Sequence, residues 1–181
     1  MNIFYLSRDT KKCAEMHVDK HVVKMILEYS QLLSTAHRVC DGVESIELSK
    51  SNRKVKRWKL NTAGEHILYA ATHVNHPSAV WARASESNYK WLASLLKELC
   101  AEYTHRYGKV HKCERDGLVD FLNNNSPFDI SDNEFTEPTP AMPEEFIIKN
   151  DSIQSYMNYY TGAKQRMFSW KNREVPSWAL V

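Results

Sequence analysis

The polar residues of the first helical pattern fall on one line, and this line most constrains how the chain can fold. Apolar residues recur at helical spacing through the segment 10–39, which predicts a single long helix ended by Cys40-Asp41-Gly42. Beside the apolar face, six polar residues follow one another at intervals of three or four, so they share a narrow sector. This polar line consists of His17, His21, Lys24, Glu28, Gln31 and Thr35.

The polar line has two interpretations. Two imidazoles, an ammonium and a carboxylate beside a core face are the groups that general acid–base or imine chemistry needs. The same groups could instead form a hydrogen-bonded seam between helices, with Lys24 and Glu28 paired at i,i+4. Because buried ionisable groups are costly unless they are paired or used, we favour a functional site for the line as a whole.

The composition limits how many domains the chain can form and which kinds of ligand site it can contain. A chain of 181 residues with 43% apolar content predicts one globular domain over residues 1–181. Five glycines argue against a glycine-rich phosphate loop, and the four cysteines lack the paired spacing of a metal site. We therefore expect no metal or cofactor and reduced thiols. With no signal peptide and no membrane-spanning run visible, we expect a cytoplasmic protein without a membrane partner.

The remaining segments predict a mainly α fold without a β-sheet core. A second long helix is expected over 78–107, packed against the first and stopped by Gly108. A C-terminal helix is expected over 152–170, and a short one over 65–73. Prolines and acidic residues indicate an irregular loop insertion around 113–150. Two polar residues fall on the apolar seam of the second helix, either as packing contacts or as pocket lining: Ser85 and Asn88.

A basic segment precedes the second long helix. Six of the ten residues over 50–59 are basic, and a tryptophan lies among them. A basic run is usually solvated surface, but an interleaved aromatic near an ionisable site favours phosphate binding. The candidate nucleic-acid-binding residues are Lys50, Arg53, Lys54, Lys56, Arg57, Trp58 and Lys59.

Several short motifs follow one another in a distinctive order. Asp19-Lys20-His21 is followed by Glu28, nine residues after the aspartate. His76 then leads into a helix that closes with Glu102 and Arg106-Tyr107-Gly108, and the tail reads Asn172-Arg173-Glu174-Val175-Pro176-Ser177-Trp178. This order resembles the phage pyrimidine-dimer DNA glycosylases, the endonuclease V family, in their Asp-x-His opening, catalytic Glu, central helix and Arg-x-Pro-x-Trp end.

The resemblance implies a DNA N-glycosylase acting on damaged or modified pyrimidines, with or without an abasic-site lyase step. The nucleophile of the phage enzymes is the α-amine exposed after Met removal, which attacks the sugar C1′. Here residue 2 is Asn and Leu27 replaces the family's Arg, so the expected nucleophile is Met1 or Lys24, assisted by Glu28 and His21. The expected substrate-binding residues are His17, Gln31, His76, Ser85, Asn88, Trp170, Arg173 and Trp178.

Two alternatives to a glycosylase stay open. One is a nucleic-acid or nucleotide-modifying enzyme on the same scaffold, and the other is a non-catalytic nucleic-acid-binding protein. The formal net charge of only +2 is low for a duplex-binding enzyme of this size. DNA is the expected partner, in the host cytoplasm if the protein comes from a phage. The target base, the strandedness of the DNA and the oligomeric state are left open.

Overall fold

Two long helices form the centre of the core in this computed structural model, which describes residues 1–180. The fold is mainly α, as the sequence predicted. In chain order the elements are α1 (Thr10–Met16), α2 (Asp19–Asp41), β1 (Val43–Leu48), β2 (Lys54–Lys59), α3 (Gly64–Ile67), α4 (Pro77–Ala82), α5 (Glu86–Tyr107), α6 (Lys112–Arg115), α7 (Leu118–Asn124) and α8 (Ser152–Ala163). Short 3₁₀ turns lie at Glu144–Phe146, Gln165–Met167 and Ser177–Ala179.

The first predicted helix is two helices, so the prediction of one helix over 10–39 is wrong. The chain turns to extended backbone at His17 (φ −64°, ψ 135°) before α2 begins. The buried guanidinium of Arg106 donates to the carbonyl oxygens of Glu15 and His17, each at 2.9 Å, and to the carboxylate of Asp19. A charged donor from α5 therefore satisfies the end of α1 that a continuous helix would have satisfied itself.

The second predicted helix is also interrupted. Residues 83–85 separate α4 from α5, and the Ser85 hydroxyl accepts from the backbone N–H of Asn88 at 3.1 Å. Ser85 is thus an N-cap, which is the role in which serine is favoured at a helix start. Gly108 ends α5 in the left-handed region (φ 64°), as its position in the sequence predicted.

The basic segment lies in a two-stranded antiparallel hairpin, which the sequence analysis did not anticipate. Gly42 joins α2 to this hairpin with extended backbone (φ −90°). A Cβ atom there would collide with the carbonyl oxygen of Arg38 and lie 2.9 Å from Cβ of Trp58. Glycine is therefore required by the close approach of the strand to the helix end, and not by its φ angle.

The expected loop insertion over 113–150 begins with helices. Helices α6 and α7 occupy its first part, and α7 buries Leu118, Val119 and Leu122. The chain without helix or strand runs over 125–143. Two further bounds were wrong: the C-terminal helix stops at Ala163, and only residues 65–67 of the segment 65–73 are helical, in the single turn of α3.

Candidate active site

His17 lies outside α2, in the junction that follows α1. Its ring is fully buried, and Nδ1 lies 2.7 Å from the carbonyl oxygen of Cys13, so Nδ1 carries the proton. The Tyr29 hydroxyl accepts from the backbone N–H of Phe4 and lies 3.3 Å from Nε2 of His17, to which it can donate. Burial lowers the pKa of His17 to about 4. His17 is a neutral, saturated core residue in this arrangement.

His21 is similarly enclosed at the start of α2. Its ring stacks on Phe4 with 4.1 Å between centroids, and Nδ1 lies 2.6 Å from the Tyr160 hydroxyl. Burial, with smaller contributions from the positive charges of His17, Lys164 and Lys24, lowers its pKa to about 3. The imidazole is therefore neutral near pH 7, and its contacts tie α2 to the N-terminal segment and to α8.

The other end of the polar line is covered by the chain that follows α3. We call residues 68–76 the strap. The Thr35 hydroxyl donates to the carbonyl oxygen of Thr72 at 3.2 Å and accepts from the Thr72 N–H at 3.1 Å. One turn further on, Arg38 bonds the carbonyl oxygens of Leu68 and Tyr69. Backbone groups of the strap thus satisfy this part of α2.

Arg38 extends the polar line by three residues, and all five of its N–H groups have partners. Besides the strap, it donates to the carbonyl oxygen of Trp58 on β2 (3.1 Å) and to the carbonyl oxygen and carboxylate of Glu65. One buried guanidinium therefore joins α2, the hairpin, α3 and the strap. The sequence analysis missed Arg38, although its spacing from Thr35 continues the pattern of the line.

The middle of the polar line is different, because no backbone segment saturates it. The Lys24 ammonium lies 3.0 Å from the Glu28 carboxylate, and the Lys24 side chain is 66% exposed. The Glu28 side chain is only 15% exposed. The carboxylate is held at the edge of the core with one mobile, solvated cation as its bonded partner. Gln31, one turn further along, is half-buried.

The charges of Glu28 and of the Met1 α-amine both act on His76. His76 is the N-cap of α4, and its Nδ1 accepts from the Ser78 N–H at 3.2 Å. Burial lowers the pKa of His76 most, the charges of the Met1 α-amine and of His73 lower it further, and the Glu28 carboxylate raises it. The amine and the carboxylate therefore both act electrostatically on one imidazole. We call Met1, Glu28 and His76 the N-terminal cluster.

The N-terminal segment holds Met1 in this position. Residues 3–6 are buried in extended conformation, and Met1 itself packs against the core while staying partly exposed. The backbone N–H of Phe4 donates to the hydroxyl of Tyr29, the residue next to Glu28, at 3.0 Å. The α-amine is thereby fixed near the middle of α2 by ordinary core packing of the residues that follow it.

Other residues predicted for the site lie elsewhere. The Asn88 side chain is saturated: it donates to the carbonyl oxygen of Trp81 and the hydroxyl of Thr136, and it accepts from the Thr136 N–H. It holds the irregular segment onto α5, and Ser85 caps that helix. Asn88 and Ser85 therefore have packing roles, whereas the charge of Glu28 acts on His76.

The C-terminal tail packs at the start of α2. The indole N–H of Trp170 donates to the carbonyl oxygen of Met16, and the Trp178 ring lies 6.0 Å from the Trp170 ring. Arg173 forms two-point hydrogen bonds with the Glu102 carboxylate, the partner of Arg106. A groove of about 530 Å³ lies along this tail. It is lined in part by Lys12, Glu15, Arg173, Glu174 and Pro176.

The motifs that carried the resemblance to the glycosylases divide into two groups. Asp19, Glu102 and Arg106 form one ionic network, in which Asp19 also accepts from the backbone N–H of Lys171. These residues dock the tail onto the helices. Glu28 and His76 belong to the second group, in which the Glu28 carboxylate has only the Lys24 ammonium as its bonded partner.

The basic residues lie at the far end of α2, on the hairpin. Lys56 and Lys59 form exposed ion pairs with Glu44 (2.8 Å) and Glu47 (2.9 Å). Lys50, Arg53 and Lys54 lie at or next to its turn, where the chain reverses over 49–53. Trp58 is half-buried, and its carbonyl oxygen accepts from Arg38. Arg57 is also half-buried.

Within residues 1–180, no three His, Cys, Asp or Glu side chains are grouped so as to hold a metal ion, and no helix is long and apolar enough to cross a membrane. The cysteines are Cys13, Cys40, Cys100 and Cys113, and all are free thiols. No protein-family model, curated protein or solved structure matches the chain. The site must therefore be interpreted from its own geometry.

Proposed function

We propose that the protein is a DNA N-glycosylase with an abasic-site lyase step, and that the N-terminal cluster is its active site. The observation that carries the proposal is the Glu28 carboxylate, which is 15% exposed and bonded only to the Lys24 ammonium, and whose charge acts together with that of the Met1 α-amine on the His76 imidazole. The order of sequence motifs that resembles the pyrimidine-dimer glycosylases supports the same chemistry.

Each group has a role in the proposed reaction. The Met1 amine attacks the sugar C1′, the C1′–N bond to the base breaks, and the base leaves with the bonding electrons. The departing base takes a proton from solvent. The amine then loses a proton, the C1′–O4′ bond of the sugar ring breaks, O4′ takes up a proton, and an iminium ion forms between C1′ and the amine. Glu28 carries the proton from the amine to O4′ and, as the carboxylate, stabilises the cation. The His76 ring is neutral near pH 7 because its pKa is lowered, and its Nδ1 caps α4. On a preformed abasic site, the sugar aldehyde and the amine lose water instead.

Lys24 is the alternative nucleophile. Its ammonium is 3.0 Å from Glu28, but its side chain is largely solvated. Met1 is held by the buried segment that follows it, so less conformational freedom is lost when it reacts. The geometry therefore favours the α-amine.

Borohydride trapping on an oligonucleotide with one abasic site tests the proposal. Hydride reduction of the imine gives a stable secondary amine, and peptide mass spectrometry should place the adduct on Met1. Lys24→Arg keeps the charge and removes the second amine, so trapping should survive it. An adduct on Lys24 would reassign the nucleophile, and no adduct with any abasic substrate would refute the proposal.

Glu28→Gln should lower trapping and base release by about two or more decades, because it removes the negative charge and keeps the shape. Glu98→Gln, a change of a partly exposed carboxylate on α5, is the matched control and should leave both rates unchanged. The melting temperature of Glu28→Gln should stay close to that of the wild type. Full activity in Glu28→Gln would contradict the assigned role.

A further inference from the structure

The β1–β2 hairpin concentrates positive charge in a protein that is otherwise slightly acidic. Residues 43–59 contain six basic and two acidic side chains, a balance of +4. The whole chain has a formal net charge of +2, so the residues outside the hairpin together carry −2. The low overall charge therefore hides a strongly basic element whose field is local.

Most of these cations are available to a ligand. Four of them form no ion pair with a carboxylate anywhere in residues 1–180: Lys50, Arg53, Lys54 and Arg57. The two paired lysines have side chains that are 62% and 67% exposed. Exposed ion pairs contribute little free energy, so a phosphate can replace the carboxylate at small cost.

Three aliphatic side chains are exposed on the same hairpin: Val43 (63%), Ile46 and Leu48. The last two share one face, because they are two residues apart on β1. Ile46 is 67% exposed and Leu48 is 65% exposed. In the strand register, Ile46 lies opposite Lys56 and Leu48 lies opposite Lys54, and opposed side chains project from the same face of a sheet. One face of the hairpin therefore presents an apolar pair flanked by two lysines.

The hairpin is fixed to the far end of α2. Arg38 on α2 bonds the carbonyl oxygen of Trp58, and it also bonds the carbonyl oxygen of Leu68 at the start of the strap. Glu28 and Arg38 are ten residues apart on one helix, or about 15 Å along its axis, so the hairpin lies on the same helix as Glu28 but further along it.

We propose that this hairpin face binds the minor groove of duplex DNA, with its cations on the phosphates and with Ile46 and Leu48 wedged against the base steps. Aliphatic side chains on minor-groove-binding proteins unstack such steps and kink the duplex. The inference deepens the proposed function, on which its purpose rests, since a kinked and unstacked duplex lowers the cost of extruding a nucleotide toward Glu28.

Binding to undamaged DNA tests the inference without any catalytic turnover. The probe is a fluorescent A·T-rich duplex of about two helical turns, compared with one of its single strands. The double substitution Ile46→Ser and Leu48→Ser should weaken duplex binding about tenfold and leave single-strand binding almost unchanged. Both side chains are exposed, so the melting temperature should not change. Val110→Ser, a change of a 49% exposed aliphatic residue elsewhere, is the control.

A charge series tests the proposed binding of phosphates. Changing Lys50, Arg53 and Lys54 together to Gln should lower the slope of log affinity against log salt by up to about 3, at about 0.9 for each phosphate that is no longer neutralised. Exposed lysines on other elements provide the control, in which Lys11, Lys20 and Lys97 are changed to Gln. An equal decrease in slope for both triple variants would overturn the assignment to the hairpin.

Two further binding experiments test the groove and the kind of partner. A minor-groove ligand such as netropsin should displace the protein from the A·T duplex, and binding that persists would refute the minor-groove mode. Tighter binding to anionic phospholipid vesicles than to the duplex would refute DNA as the occupant. If trapping at Met1 fails while the wedge substitutions still weaken duplex binding, the proposed chemistry fails and this inference stands.

Discussion

The two ends of the polar line and its middle have similar residue types but different surroundings. At the ends, His17, His21 and Thr35 have hydrogen-bond partners within the protein and almost no exposure. In the middle, Glu28 has one bonded partner, the exposed ammonium of Lys24. The sequence presents these residues as one pattern, and the structure divides them into a saturated part and an available part.

This difference shows what separates a polar seam from a site. A buried polar group is stable in either role only if its hydrogen bonds are made, by the protein or by a ligand. The strap supplies those bonds to Thr35 and Arg38, whereas Glu28 has only the exposed ammonium of Lys24 as its bonded partner. The occupant of the space beside the helix therefore decides the role, and the helix sequence alone does not.

The largest loss of stability is expected for a substitution of Arg38, in the part of α2 that the strap covers. Arg38→Met keeps the length of the side chain but leaves Glu65 and the carbonyl oxygens around it without their donor. The free energy of unfolding should fall by about 3 to 5 kcal/mol in chemical denaturation, because breaking one side of a buried ionic network is costly. Lys24→Met, in the open part, should change stability by less than about 0.5 kcal/mol. Equal decreases in the two variants would break the comparison.

The next largest effect is the pH dependence of stability that the lowered pKa of His21 causes. Its folded pKa of about 3 lies below the ordinary value of 6.5, so the unfolded state binds protons more readily and stability falls as pH falls below about 6.5. Between pH 7 and pH 4 the decrease in stability from this ring is on the order of 3 kcal/mol. In His21→Asn, the free energy of unfolding should lose this part of its pH dependence, and the melting temperature should fall less between pH 7 and pH 4. His66→Asn, at an exposed ring, should leave the pH dependence unchanged.

The smallest effect is expected at Thr35. Thr35→Val keeps the shape and removes the hydroxyl that both donates to and accepts from Thr72. Stability should fall by about 1 to 2 kcal/mol, and the Thr72 amide should exchange its proton faster, since the strap opens more easily. Thr139→Val, at an exposed position, is the control and should leave both quantities unchanged. An unchanged exchange rate at Thr72 would mean that other contacts hold the strap.

Local patterns along the chain determined much of the secondary structure. Helical spacing of apolar residues predicted that the residues of α2 and α5 are helical, because burying one face of a helix stabilises it whatever it packs against. Gly42 and Gly108 marked helix ends, and His76-Pro77 marked the start of α4. The spacing of the polar line also predicted Glu28 as a candidate site residue.

Long-range contacts decided the rest. The break in the helix at His17 depends on the guanidinium of Arg106 on α5, 89 residues away in sequence. The hydrogen bonds of the Thr35 hydroxyl depend on Thr72 in the strap, 37 residues away. The turn into the hairpin depends on how closely Trp58 approaches α2. No window of sequence contains both partners of such contacts. Glu28 is distinguished from its neighbours on the line only by tertiary structure, since folding covers the ends of the line and leaves Glu28 with one bonded partner, the exposed Lys24.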